Sequence, residues 1–318
     1  MISAIVPVWN GREHLASLLD SLDAQTLRAG EILAIDNGSS DGAPELARDR
    51  GARVIAMGGN AGFAPAVNRG IREARGEWIA ILNTDVKLAP DYLQTLAARA
   101  AATDAAFATG KIVSPAGALD GAFDLTTRAA TTWRAGAGMA DAPPFDCERA
   151  ITSAPFTAVL VRSEVFRKIG LLEEIFESYL EDVDFGLRCA GGGVAGLYVP
   201  TARAVHIGSA SLGRWHPEIV RRISRNQLWL ARRHFPARYW WRVLVGQLLW
   251  GGVAVRHLTG WAWLRGKIQG AGAFNLKISA ENELSLLDTH LRSNEQFIRN
   301  ASPDLYWRLY FLLTGVAK

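Results

Sequence analysis

Four short apolar runs, each ending in a cluster of turn-forming residues, constrain the fold of the first 85 residues. Ser3 to Val8 runs into Trp9-Asn10-Gly11, and Glu31 to Asp36 into Asn37-Gly38-Ser39-Ser40-Asp41-Gly42. Val54 to Ala56 is followed by Gly58-Gly59-Asn60, and Trp78 to Leu82 by Asn83-Thr84-Asp85. Such runs suit buried strands closed by tight turns. Between them, Leu15, Leu18, Leu19 and Leu22 recur at helical spacing, and Pro44 to Arg50 and Ala64 to Ala74 read as two further helices. The alternation predicts an α/β fold: a mainly parallel sheet flanked by helices. Ligands of such sheets bind beyond the carboxyl ends of the strands, where Asp36, Asn60 and Asp85 all fall.

The later sequence is less regular. Gly117 to Phe145 has little periodicity and ends in Pro143-Pro144, which predicts a long mobile loop. Ser153 to Val161 reads as a strand, and Ser163 caps a helix ending near Gly170. Glu181 to Cys189 reads as a helix stopped by Gly191-Gly192-Gly193, and Val194 to Val199 and Ala202 to Ile207 as two closing strands. From Pro217 onward the chain is helical and rich in tryptophan.

With 318 residues, 49% of them apolar and 21% charged, the chain can bury a substantial core. Its two cysteines make a disulfide framework unlikely to be the source of stability, and the start at Met1-Ile2-Ser3 has no basic leader; both suit a cytoplasmic protein. The net charge of +4 conceals an asymmetry. Residues 1–200 carry 18 Lys and Arg against 25 Asp and Glu, whereas residues 201–270 carry 12 against the single acid Glu218. That concentration of positive charge suits an anionic partner: nucleic acid, lipid headgroups or a phosphorylated ligand. The uncharged stretch from Val243 to Val255 has 13 residues, well short of the about 20 needed to cross a bilayer. Its Trp and Arg flanks suit a helix lying in a membrane interface, and a helical hairpin packed on the α/β body is the other reading.

Two acidic clusters carry the chemistry. Asp85 follows the fourth strand, where a carboxylate can hold a divalent cation. Glu181, Asp182 and Asp184 crowd one helical turn, and their mutual repulsion raises the proton affinity of at least one, as a general base requires. Residues i and i+2 diverge on a helix, so Asp182 and Asp184 serve different ends. Asp182 is the candidate base, and Asp184 either orients the loop or binds a basic neighbour.

Together these segments resemble glycosyltransferase family 2, inverting enzymes of the GT-A fold, over roughly residues 2–235. The matching blocks are Ile5-Val6-Pro7-Val8-Trp9-Asn10, Ile35 to Gly42, Asn60-Ala61-Gly62-Phe63-Ala64 with Asn68 and Gly70, and Leu82-Asn83-Thr84-Asp85. Tyr179 to Phe185 and Val205-His206-Ile207-Gly208-Ser209 complete the set, and the pattern is most similar to bacterial rhamnosyltransferases.

The resemblance implies transfer of a sugar from a nucleotide diphosphate donor, dTDP-rhamnose or a UDP-sugar, to a hydroxyl of a surface-glycan or lipid-linked acceptor. Mg²⁺ or Mn²⁺ would sit on Asp85, with His206 as a second ligand, a pyrophosphate contact or a structural histidine. Pro7, Val8 and Trp9 would back the nucleotide base. Asp36 would either accept the base N–H or shape an Asx-turn. Asn60, Gly62 and Asn68 would either hold phosphate at a helix N-terminus or only form a turn. Asn83 and Thr84 would complete the donor site, with Asn83 standing where the family often has a second carboxylate. Phe156, where the family has a small residue, would press on the sugar.

The implied division is a catalytic domain over 1–212, with a nucleotide-sugar half at 1–100 and an acceptor half at 101–212. A basic helical region at 213–318 would follow, suited to peripheral contact with the inner face of the cell membrane. No nucleic acid is expected, and the oligomeric state is open. A sugar-1-phosphate nucleotidyltransferase and a non-catalytic glycan- or membrane-binding module are the rival functions.

Overall fold

The computed structural model describes residues 1–207, 215–272 and 281–315, without the side chains of 281–285. Gly208 and Ser209, which end the last matching block, lie outside the described residues.

The first half folds as the alternation predicts. Strands β1 (Ile2–Val8), β2 (Glu31–Asp36), β3 (Arg53–Ala56) and β4 (Trp78–Leu82) are separated by helices α1 (Arg12–Asp23), α2 (Ala43–Asp49) and α3 (Phe63–Glu73). They pair in parallel in the order β4-β1-β2-β3. Strand β1 is buried almost throughout because helices cover both faces. Ala4, Val6 and Val8 join Leu15, Leu18, Leu19 and Leu22 of α1, while Ile5 faces Ala66 and Val67 of α3. Burying each such leucine is worth about 1.5–3 kcal/mol. At Gly70 a Cβ would stand 2.4 Å from Ile5 Cγ2, so the glycine sets how closely α3 approaches β1.

The second half adds β5 (Val86–Leu88), α4 (Tyr92–Thr103), β6 (Phe107–Val113), β7 (Leu119–Gly121), β8 (Asp124–Thr126), β9 (Thr132–Arg134) and β10 (Arg149–Ile151). Then follow β11 (Ala158–Arg162), α5 (Ser163–Ile169), α6 (Glu181–Gly191) and β12 (Gly196–His206). The sheet continues β4-β11-β6-β12-β10, with β11 antiparallel to both neighbours. The two closing strands expected at 194–207 are one strand, β12, whose pairing with β6 shifts between Val199 and Arg203. Pro200 lies in that interval, where a missing N–H is tolerated.

The stretch from Gly117 to Phe145 corrects the expectation of a long loop. It contains β7 and the antiparallel hairpin β8–β9, and residues 121–131 are all buried. Phe123 packs on Tyr198 at 5.2 Å and Phe297 at 5.8 Å, and Phe145 lies against Trp133. Periodicity is missing here because the hairpin is enclosed on every side, so no exposed face alternates with a buried one.

Five helices follow: α7 (Pro217–His234), α8 (Trp240–Arg256), α9 (Gly260–Ala271), α10 (Glu281–Ala301) and α11 (Leu305–Thr314). They pack on the α/β body rather than standing apart. In α8, Gly246 lies against Ala129 at the hairpin tip, and Gln247 donates to its carbonyl. In α10, Glu295 is fully buried and accepts from Arg128 through both backbone and guanidinium. In α11, Tyr306 donates to Thr131. Among the described residues no helix is long and apolar enough to cross a membrane.

Candidate active site

Strand register brings the first cluster together. β5 pairs antiparallel with the end of β12, placing Val86 opposite His206, and Ile207 N–H donates to the Asp85 carbonyl at 3.0 Å. His206 Nε2 therefore stands 3.1 Å from Asp85 Oδ1, and its Nδ1 lies 2.8 Å from Asp120 Oδ2 of β7. Burial alone would lower the proton affinity of His206, but hydrogen bonds to Asp120 and Asp85 outweigh it and hold the pKa up at about 9. Burial would raise Asp85, and the hydrogen bond from His206 pulls it below the usual range instead.

The second cluster is organised by Arg134 on β9. Its Nε and Nη2 donate to Asp124 at 3.1 and 3.2 Å, and Nη2 reaches Asp182 Oδ2 at 3.5 Å. Gly121 makes room for it, since a Cβ there would lie 2.5 Å from Arg134 Cδ. Asp182 also accepts from Val183 N–H at 2.8 Å and Phe156 N–H at 3.4 Å. Burial, then the charge of Asp124, raise its pKa to about 6 against the opposing pull of Arg134. Burial, followed by repulsion from Asp182, holds the neighbouring Glu181 carboxyl well above its ordinary value. Asp120 also acts electrostatically on Arg134, so the two clusters form one chain of charges: Asp85, His206, Asp120, Arg134, Asp182.

The backbone ahead of Asp182 is strained. Glu177, Tyr179 and Leu180 all have positive φ, at 58°, 74° and 69°. Such conformations persist only when the surroundings over-determine them. Here Asn226 Nδ2 of α7 lies within 3.1 Å of the carbonyl oxygens of Phe176, Ser178 and Tyr179, and Arg225 reaches Phe176 O and Glu177. Asp184 is the second tie to α7: fully buried, it meets Arg188, Arg233 and His234. Burial opposes its ionisation, yet those three partners bring its pKa down to about 2.

The donor-side residues separate into two groups. Trp9 is 49% exposed beyond β1, and half-buried Asp36 ends the adjacent strand β2. Asp36 Oδ1 accepts from Ser39 N–H, three residues on, at 2.9 Å and so shapes the loop, while Oδ2 has no hydrogen-bond partner among the described residues. Pro7 is half-buried, but the Val8 side chain belongs to the core and does not face a ligand. Asn83, Thr84 and Asp85 are half-buried in the turn after β4, with Asn83 N–H bonded to Thr157 O.

The phosphate site expected at α3 is corrected. Its first-turn N–H groups are taken by the chain itself: Gly62 by Asn60 Oδ1, Phe63 by Ser178 Oγ and Ala64 by Glu177 O. Gly62 is there because a Cβ would stand 2.8 Å from Glu177 O. Asn68 is 1% exposed and spends its amide on Leu172 and Glu174. It locks the loop before α6 and cannot reach a phosphate. Phe156 is corrected too: its ring packs edge-on against Phe185 in the core, and only its N–H faces the site. Sequence reasoning missed Asp120, Asp124 and Arg134 because they lie in the stretch read as a loop.

The profile of "Glycosyl transferase family 2" matches residues 3–169. The N-acetylglucosaminyl-diphospho-decaprenol L-rhamnosyltransferase of Mycobacterium tuberculosis is 28% identical over 286 residues, covering 80% of this chain and 91% of its own. The O-antigen biosynthesis protein RfbC of Myxococcus xanthus is 30% identical over 66% of this chain, a span of only 17% of that protein. Among solved structures, GalNAc-T7 with UDP, GalNAc and Mn²⁺ gives a TM-score of 0.67 at 13% identity, over 96% of this chain and 58% of that one. A mannosyltransferase from Pyrobaculum calidifontis with GDP-Man and Mn²⁺ gives 0.53 at 16% identity, over 98% and 86%. The fold is thus the GT-A fold with a helical C-terminal region, and the chain belongs to glycosyltransferase family 2.

Proposed function

We propose that this transferase is an inverting, metal-dependent rhamnosyltransferase. It would use dTDP-rhamnose, with a UDP-sugar as the other donor its base site accommodates, and act on a lipid-linked glycan. The observation that carries the reading is the chain of charges from Asp85 to Asp182, which supports a cation site at one end and a general base at the other. The decaprenol-linked substrate in the name of the mycobacterial relative supports the donor sugar and the acceptor class.

On the donor side, Trp9 would stack on the pyrimidine, backed by Pro7, and Asp36 Oδ2 would accept its ring N–H. The Asn60 amide, Asn83 and Thr84 would face the diphosphate. Among the described residues, no three His, Cys, Asp or Glu form a cage able to hold an ion alone. The donor set nonetheless fits a divalent cation shared with the diphosphate: Asp85 would give one oxygen, His206 would give Nε2 once the cation displaces the proton it shares with Asp85, and Asp120 would orient the ring. Mn²⁺ or Mg²⁺ would serve, and the Mn²⁺ in the two structural neighbours favours the former. When bound, the cation neutralises charge on the departing diphosphate.

On the acceptor side, Asp182 takes the proton from the attacking hydroxyl. The acceptor oxygen then bonds to the anomeric carbon as its bond to the diphosphate breaks, and the nucleoside diphosphate leaves. A base with a pKa of about 6 is ionised at neutral pH yet basic enough to accept that proton. Arg134 bridges Asp182 and Asp124 and offsets part of the repulsion between the two buried carboxylates. A lipid-linked acceptor would bring the enzyme to the inner membrane face.

A thermal-shift panel of nucleotide diphosphates and their sugars, with and without Mn²⁺, tests the donor and the cation together. Metal-dependent stabilisation by dTDP or UDP species is expected, and its loss in Asp85→Asn and His206→Gln. Equal stabilisation with and without metal would overturn the cation assignment.

A further inference from the structure

We infer that helices α8, α9 and α11 form a single face that docks onto an anionic lipid bilayer. The inference deepens the lipid-linked acceptor reading by naming the surface and its partner, and its test needs neither donor nor acceptor.

The observation is an apolar stripe left bare on each of three neighbouring helices. On α8, Trp241, Leu244, Leu248 and Val255 are between 48% and 63% exposed and share one side of the helix by their spacing. The opposite side, with Val243, Gly246 and Ala254, is buried, Gly246 against the hairpin tip and Tyr306 of α11, while Gly251 beside the stripe packs on Trp263 of α9. On α9, Ala262, Gly266 and Gly270 turn toward α7, while Trp261 is 69% exposed and Ile268 63%. On α11, Leu305 and Leu312 are 63% and 76% exposed, and Trp307, Tyr310 and Phe311 are buried. Large apolar side chains gathered this way mark an interaction surface rather than ordinary surface scatter.

Charge identifies the partner. Helices α8, α9 and α11 contain no Asp or Glu at all. Arg256, Arg265 and Arg308 are exposed and form no ion pair with any carboxylate among the described residues. Apolar side chains with interfacial tryptophans and unpaired arginines match an anionic membrane surface. A second copy would bring arginine against arginine with nothing to neutralise either, so self-association does not satisfy this face. Two of these helices, α8 and α11, rest on the β8–β9 hairpin through Ala129 and Thr131, and that hairpin carries Arg134 to Asp182. Docking there would seat the acceptor side of the site against the membrane that holds a lipid-linked substrate.

The test is sedimentation of the full chain with vesicles of phosphatidylcholine alone or with 30% phosphatidylglycerol, a composition of about bacterial anionic content, in physiological salt. Wild type should pellet with the anionic vesicles and far less with the neutral ones. Leu244→Glu/Leu248→Glu should cut that binding at least about tenfold with an unchanged melting temperature and an unchanged donor-induced thermal shift. A second readout is quenching of tryptophan emission by brominated phosphatidylglycerol, which Trp241→Phe/Trp261→Phe should reduce. Equal pelleting of wild type and variant, no binding to anionic vesicles, or a dimer in light scattering abolished by the same variant would overturn the inference. A vesicle result of either kind leaves the donor panel untouched, so the two readings fail separately.

Discussion

Arg134 Nη2 lies 3.5 Å from Asp182 Oδ2 while the same guanidinium grips Asp124 at 3.1 and 3.2 Å. One cation on a buried hairpin thus separates two carboxylates, and it sets how readily Asp182 accepts a proton. The hairpin in turn is held by the C-terminal helices, so the setting of Asp182 depends on packing remote from it.

Replacing Arg134 by Met removes the one positive group that draws the Asp182 pKa down. The acid limb of the transfer rate, set near pH 6 in the wild type, should move up by about one pH unit or more. Much of the rate should return at pH 9. A pH–rate profile distinguishes this from a purely structural loss, which would depress the rate at every pH without moving the limb.

Glu295→Ala should destabilise the protein by about 3–5 kcal/mol, because it strands the buried Arg128 guanidinium. Arg128→Met/Glu295→Met should recover most of that loss, since a buried ion pair is worth little against an apolar replacement. Urea denaturation of the three proteins gives the answer. A single variant as stable as the wild type would show that α10 does not clamp the hairpin.

Asp184 has a native pKa of about 2 against an ordinary 3.8. A lowered carboxylate pKa stabilises the fold above the ordinary value, and the benefit drains away as pH falls through the native one. Asp184→Asn should therefore cost roughly 2 kcal/mol or more at pH 7. The gap from wild type should be narrower at pH 3, as read by urea denaturation at both pH values. An equal gap would mean the ionised form is not what ties α6 to α7.

The strands and helices of the first half were legible because each alternates cleanly between a buried run and a turn. The proposed roles of Asp85 and Asp182 came from position alone, a carboxylate just beyond a strand and one crowded in a helix start, and the structure adds their partners His206 and Arg134. The spacing argument that sent Asp182 and Asp184 to different tasks also fits the structure, where Asp184 faces α7. Asp120, Asp124 and Arg134 were not legible, since their pairing depends on contacts between β7, β8, β9 and α6 that no local pattern encodes. Asn68 misled because an amide near a helix start can hold a phosphate or a neighbouring loop, and only the fold shows the loop.

The central claim is that Asp182 takes the proton of the acceptor hydroxyl, and Asp182→Asn tests it most directly. Donor binding should be measured by thermal shift with Mn²⁺, and turnover with whichever nucleotide sugar the panel selects. The variant should bind the donor as the wild type does while transfer falls by a factor on the order of 10²–10⁴. Turnover near the wild-type rate, with donor binding intact, would contradict the account.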